Sequence, residues 1–231
     1  IDKTYNADQY ADFAGANIDI KSKDYQGKGY LSLNVDTGFN TITQEQEQFY
    51  RIDGPNNTGF YSAQYPQFPL NNYNFDTSWD RVAADAPLNM GVGIQAGDSY
   101  ALTDNTKLSV FAVGSFSNNF QYREGISRGG VEVSGVPNSD FDYVNYGFNT
   151  NATLLTNVGL KHKGNKLNYN TLLLNTSNEE QKEFYGVIDK DDDASEGGGF
   201  IQRALFTRTQ LFVHQLHGEH KVNDVVTLNW S

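Results

Sequence analysis

Residues 88–97 read LNMGVGIQAG, and every second residue of this run is apolar. An extended chain with this alternation carries one apolar face and one face of Asn, Gly and Gln. The pattern predicts a β-strand, but the core of a soluble sandwich and the hydrocarbon of a membrane would both accept its apolar face. The apolar positions are Leu88, Met90, Val92, Ile94 and Ala96.

The composition of the chain is typical of strands and loops. It holds 14 Tyr, 15 Phe and 22 Gly among 231 residues, and it has no cysteine. The absence of cysteine excludes disulfides, thiolate metal sites and cysteine nucleophiles. The net charge of -11 disfavours a non-specific nucleic-acid partner, because phosphate would repel the chain.

Period-two runs predict seven longer strands after a short alternating strand at 17–21. The predicted strands lie near 31–39, 88–98, 107–123, 150–162, 166–176, 203–218 and 226–230. Short turns are predicted at 102–106, 163–165 and 222–224. Long loops are predicted near 41–87, 124–149 and 177–200.

Long and short connections therefore alternate along the chain. In an up-and-down meander this order puts all the long loops at one end of the strands and all the tight turns at the other. Outer-membrane barrels have this arrangement, with short periplasmic turns and longer extracellular loops. The pattern favours an all-β, antiparallel transmembrane barrel segment.

A motif near the start of the chain points the same way. Residues 12–23 read DFAGANIDIKSK and resemble the end of the plug domain in TonB-dependent outer-membrane receptors, where a run like D-F-x-G-G-x-[IV]-x-[IV]-x-[ST]-K leads into the barrel. Ala16 stands where the second Gly is usual, and Ser22 stands where Thr is common. The resemblance implies that residues 1–27 are the end of the plug with its linker. Residues 28–231 would then be the N-terminal part of the barrel, about 7 strands of about 22.

The resemblance also implies a function. Such a receptor lies in the bacterial outer membrane, binds a scarce nutrient such as a siderophore, glycan or peptide, and imports it with energy from the TonB complex. Its expected partners are this complex, outer-membrane lipids, the ligand and a surface lipoprotein. The chain shows no catalytic motif, so no enzymatic activity and no cofactor are expected. The alternative is a soluble extracellular all-β binding or adhesion module.

An aromatic-rich segment near 60–79 is the candidate ligand-binding region. Aromatic side chains offer a large contact area at a small entropy cost, and no strand period assigns these to a core or a lipid face. The alternatives are a loop that packs on its own aromatics and an aromatic girdle at the membrane surface. The candidate ligand-binding residues are Tyr61, Tyr65, Phe68, Tyr73, Phe75 and Trp79.

Two groups of residues in the sequence are potential metal ligands. The acidic run 189–196 has the carboxylate spacing of a calcium loop, but Ala194 replaces the turn Gly and Phe200 replaces the bidentate Glu. This favours a solvated loop and leaves calcium binding open. His214, His217 and His220 lie on one predicted strand, where His217 should point away from the other two. No metal site is predicted there.

Overall fold

The structure, a computed structural model, describes residues 25, 27–60, 80–84, 88–188, 198–223 and 225–231. In these ranges the protein is almost entirely β. The plug-like run 12–23 and the predicted strand at 17–21 lie outside the described residues.

Seven strands form one antiparallel sheet in the order β1-β4-β5-β6-β7-β8-β9, and β2 pairs with β3 in a second, small sheet. The one described helix has four residues, and no helix in the described ranges could cross a bilayer. The elements are β1 (Tyr30–Gly38), α1 (Thr41–Gln44), β2 (Phe49–Ile52), β3 (Arg81–Ala84), β4 (Asn89–Thr103), β5 (Thr106–Val131), β6 (Pro137–His162), β7 (Asn165–Val187), β8 (Gly199–Lys221) and β9 (Thr227–Trp230).

The large sheet confirms the prediction of seven antiparallel strands. From β4 onward each strand pairs with the next one in the chain, as in a meander. The sheet is open, with β1 and β9 as its edges, and the described residues do not close it into a barrel. The turns after β4, β6 and β8 lie at one end, called the tight-turn end. In the turn after β6, Lys163 takes a positive φ of 51° beside Gly164, as tight hairpins require.

The predicted loop at 124–149 is wrong. The β5 strand continues to Val131 and β6 starts at Pro137, so a short turn replaces the long loop. The predicted loop at 177–200 is also too long, because β7 continues to Val187 and β8 starts at Gly199. Segment 41–87 contains α1, β2 and β3, and its residues 61–79 and 85–87 lie outside the described part of the chain.

The composition of these strand extensions explains the error. Tyr122 and Phe120 share one face of β5 with Glu124, while Gln121 and Arg123 occupy the other. A period of two in hydrophobicity needs one apolar and one polar face. Because both faces carry polar groups here, the signal disappears even though the backbone pairing continues.

The large sheet has an apolar face along the half of the strands next to the tight turns. Its apolar residues share one face by register, in rows such as Leu33, Ile94, Gly114, Leu154, Leu173 and Phe212. These rows, between 108 and 116 of β5, are called the belt. Exposed members of the belt are Leu31, Leu33, Val35, Val92, Ile94, Val110, Leu154, Val158, Phe212 and Leu216.

The opposite face of the same rows is mixed. Along β4 it carries small or polar residues such as Gly93 and Gln95. On β5 it carries Phe111 and Val113 as well as Ser115, and on β7 it carries Leu172 and Leu174, so this face is not uniformly polar. The two faces differ in kind across β1 and β4 and are more alike from β5 onward.

A cysteine pair would test the strand extension that replaces the predicted loop. Glu124 and Val144 are direct cross-strand partners, and such Cα atoms lie about 4.5 to 5.5 Å apart, within reach of a disulfide. Because the chain has no other cysteine, the pair Glu124→Cys and Val144→Cys should crosslink on oxidation, as seen by non-reducing electrophoresis. The pair Glu124→Cys and Asn145→Cys is the control, since Asn145 lies on the other face; equal crosslinking of both pairs would contradict this register.

Candidate functional site

The small sheet packs on the apolar face beyond the belt, at the end opposite the tight turns. Phe49 of β2 is 2 % exposed and meets the rings of Phe120 and Tyr146 edge-on, with centroids 5.4 and 5.3 Å away. Edge-to-face contacts of this kind are favourable beyond the area they bury. The side chains at this junction are called the hairpin cluster: Phe49, Arg51, Arg81, Phe120, Tyr122, Tyr146, Phe148, Glu179 and Glu183.

A buried ion pair fixes β2 to β7. The Arg51 Nη2 atom lies 2.8 Å from Oε2 of Glu179, and the two side chains are 10 % and 2 % exposed. The Ile52 backbone N–H donates to Glu179 Oε1 at 2.6 Å, and the Arg51 guanidinium lies 4.1 Å from the centre of the Phe148 ring. The carboxylate is therefore almost fully desolvated, and its charge is compensated by Arg51 and a backbone donor.

A second ion pair fixes β3. The Arg81 Nη1 atom lies 2.6 Å from Glu183 Oε1, and the Tyr185 hydroxyl donates to Glu183 Oε2 at 2.8 Å. Burial alone would lower the pKa of the Arg81 guanidinium, but the charge and hydrogen bond of Glu183 raise its pKa overall. The Arg81 guanidinium also lies 3.9 Å from the centre of the Tyr50 ring, which ties β3 to β2.

The tyrosines of the hairpin cluster stay protonated at neutral pH. Burial raises the pKa of the Tyr122 hydroxyl, and its hydrogen bond to Glu124 adds to the increase. Burial likewise raises the pKa of Tyr146, followed by the charge of Glu183. The Tyr122 hydroxyl donates to Glu124 Oε2 at 2.7 Å.

Described residues on both sides of the aromatic segment contact the large sheet. Gly59 precedes the segment with a φ of 76° and lies so close to Thr150 and Ser177 that a Cβ would overlap their side-chain oxygens. Phe60 lies under the Arg208 guanidinium, 5.7 Å from ring centre to Cζ. Arg81 follows the segment in β3. The six predicted ligand-binding residues, Tyr61 to Trp79, all lie outside the described residues.

Unsatisfied amides lie on β7 beside this junction. Asn175 is fully buried and neither atom of its amide has a hydrogen-bond partner among the described residues; Gln181, 1 % exposed, has no acceptor for its Nε2. A buried polar group left unpaired costs about 1–3 kcal/mol. Such groups mark positions where a donor or acceptor from another part of the molecule or from a ligand would be favourable.

Sequence reasoning missed these β7 residues. Asn175, Ser177, Glu179, Gln181 and Glu183 are polar at every second position, immediately after the apolar positions of the belt end on the same face. The alternation of polar residues in the sequence could have placed these side chains on one face of β7. It could not predict their burial, because the residues that cover them, 49–60 and 81–84, are far away in the sequence.

The predictions about histidines can be compared with the strand register. His214 and His220 lie on the apolar face, and His217 lies on the opposite face, as predicted. His214 stacks on Tyr169 at 5.8 Å, and its Nδ1 is 2.7 Å from the Tyr169 hydroxyl. No group of three potential metal ligands occurs in the described ranges, and the acidic run 189–196 lies outside them.

Comparisons with known proteins give no assignment for this arrangement. No protein-family model, no curated protein and no solved structure matches the chain.

Removing Arg51 should release β2 from the sheet. Arg51→Ala leaves Glu179 buried without its counter-charge, which costs about 3–5 kcal/mol for a pair of this kind. We expect native-state hydrogen exchange of the β2 amides to show a loss of that size.

The control is Arg128→Ala, which removes an ion pair with Asp140 whose side chains are 57 % and 39 % exposed. An exposed pair contributes about 1 kcal/mol or less. A similar loss for both variants would show that Arg51 does not hold the small sheet in place.

Proposed function

We propose that this chain is part of an outer-membrane receptor that binds a scarce nutrient and imports it with energy from TonB. The observation that carries the proposal is the exposed apolar belt. Leu33 and Val35 are 68 % and 78 % exposed, and Ile94 and Phe212 are 49 % and 59 % exposed. Contiguous exposed apolar surface of this kind marks contact with a partner or a membrane.

The height of the belt supports contact with lipid. It covers residues 108–116 of β5, close to the about 9–11 residues that a tilted strand needs to cross a bilayer. At the turn end of the belt, Tyr100, Tyr169 and Trp230 lie on the apolar face, where aromatic girdles of membrane barrels occur. Asp98, beside Tyr100, is the one charged residue of β4 on this face.

The two open edges of the sheet lead to a proposal about the rest of the barrel. In a membrane each unpaired backbone group costs several kcal/mol, so only a closed barrel is stable there. The outer edges of β1 and β9 have no strand partner in the described part of the chain. We therefore propose that further strands close a plugged barrel, about 22 strands in all, with residues 1–27 as the end of the plug.

The end with the hairpin cluster is proposed to face the outside of the cell. There β5 to β8 continue past the belt, and β2 and β3, which flank segment 61–79 in the sequence, are joined to β7 by ion pairs. Its aromatics are the proposed ligand contacts: Tyr61, Tyr65, Phe68, Tyr73, Phe75 and Trp79. A surface lipoprotein would contact this end as well.

The soluble sandwich is the weaker candidate. A sandwich covers its apolar face with a second sheet of similar extent. The second sheet of the described residues has two strands of four residues, and it packs beyond the belt. In the described ranges the belt itself stays exposed.

An arginine in the belt would test the lipid contact. Val92→Arg should destabilise the receptor by about 2–4 kcal/mol in bilayers, because the charge would lie in the hydrocarbon. Ser115→Arg is the matched control: Ser115 is exposed on the opposite face, one row away on the neighbouring strand. The measurement is the folding free energy of the full receptor in lipid vesicles; an equal cost for both variants would refute the lipid-facing belt.

Single cysteines at the two ends of β5 would test the orientation. Ser134 lies in the turn after β5 and Asp104 in the turn before it. On intact cells that carry the full receptor, a membrane-impermeant maleimide should label Ser134→Cys and spare Asp104→Cys. Asp104→Cys should react once the outer membrane is permeabilised. Labelling of Asp104→Cys on intact cells would reverse or exclude the proposed orientation.

A further inference from the structure

A row of three lysines crosses the sheet at the tight-turn end. Lys107 lies directly opposite Lys161, and Lys161 lies directly opposite Lys166, on the face away from the belt. Side chains in such positions have Cβ atoms about 4.5–5.5 Å apart. Glu219 lies directly opposite Lys166 and supplies a carboxylate at that end of the row. Directly opposed like charges destabilise a sheet, so the repulsion that remains is the one between Lys107 and Lys161.

Several cations of the described residues form ion pairs with carboxylates. Arg51 meets Glu179, Arg81 meets Glu183, and Lys182 meets Glu180. In contrast, Lys107 and Lys161 have no carboxylate partner among the described residues. The chain as a whole has 28 acidic residues against 17 basic ones, so a shortage of carboxylates does not explain the difference.

The row lines a small cavity of about 220 Å³. Other side chains that line it are those of Tyr25, Ser109 and Asn168. Its volume is below the about 300 Å³ at which pockets for larger organic ligands begin. It is suited to a small ion.

Asn168 limits the kind of ion further. Its Oδ1 atom is buried and has no hydrogen-bond donor among the described residues. A ligand that satisfies both features must present anionic oxygens to the lysines and an N–H or O–H to Asn168. Ser109 is already used, since its hydroxyl donates to the Gly159 carbonyl at 3.3 Å.

We propose that this cavity, called the lysine site, binds inorganic hydrogen phosphate. The phosphate oxygens accept hydrogen bonds from Lys107 and Lys161, which compensates the repulsion between these two cations. The P–OH group, present on phosphate at neutral pH, donates to Asn168 Oδ1. The inference needs only the sheet and its register, and it stands whether or not the belt faces lipid.

Calorimetric titration of the full-length protein, folded in detergent, with phosphate at pH 7 and constant ionic strength tests the site. We expect saturable binding of one phosphate, and affinity about tenfold lower for Lys107→Gln and for Lys161→Gln, since each loses a charge-assisted hydrogen bond. Lys182→Gln is the control: it removes one positive charge from the same face near the other end of β7 and should bind phosphate as the unmodified chain does. Equal weakening in all three variants would reduce the effect to net charge and overturn the site.

Sulfate separates the two parts of the proposal. It has the shape and charge of phosphate but carries no proton at pH 7, so it cannot donate to Asn168. We expect its affinity to be about tenfold lower than that of phosphate. Equal affinity for the two ions would overturn the role of Asn168, and absence of binding by both would overturn the site.

Thermal unfolding distinguishes binding from a structural role of the lysines. In phosphate-free buffer, Lys107→Gln and Lys161→Gln should unfold at the same or a higher temperature than the unmodified chain, because a repulsion has been removed. In phosphate buffer they should gain less stability than it does. A lower unfolding temperature in both buffers would show that the lysines stabilise the fold themselves and would contradict the proposal.

Discussion

The arrangement depends on one constraint, the register of the long antiparallel strands from β5 to β8. The β7–β8 pairing runs from Lys166 opposite Glu219 to Gly186 opposite Gly199 without a slip. A shift by one residue would move every side chain to the other face. The belt, the hairpin cluster and the lysine site are all rows of this register, so each exists only while the whole pairing holds.

The end of the belt explains the position of the small sheet. After Leu173 the same face of β7 presents Asn175, Ser177 and Glu179. Burying these polar groups under an apolar surface would cost free energy, because they would lose their hydrogen bonds to water. Arg51 brings the charge that Glu179 needs, and its ion pair specifies where β2 docks. Such a pair adds little net stability compared with apolar packing, but losing one partner is costly. Its main effect is therefore to fix the position of β2 on the large sheet.

The parts of the fold that could be predicted are those where one face is apolar. Leu31, Leu33 and Val35 alternate with polar residues, and the strand they predict is β1. The facing of His217 could be predicted for the same reason. The strand extensions at 124–149 could not, because both of their faces are polar or aromatic and the composition is typical of a loop. In physical terms, backbone hydrogen bonds maintain these strands while their side chains carry no periodic signal.

Most of the candidate site could not be predicted either, for a different reason. The composition of the sequence identifies an aromatic-rich segment. The ion pairs of the flanking strands β2 and β3, however, join residues more than a hundred positions apart: Arg51 with Glu179 and Arg81 with Glu183. One half of each pair is an isolated arginine in a segment that shows no period. Local pattern can place Glu179 on a face of β7, but only the tertiary structure supplies the surface that buries it.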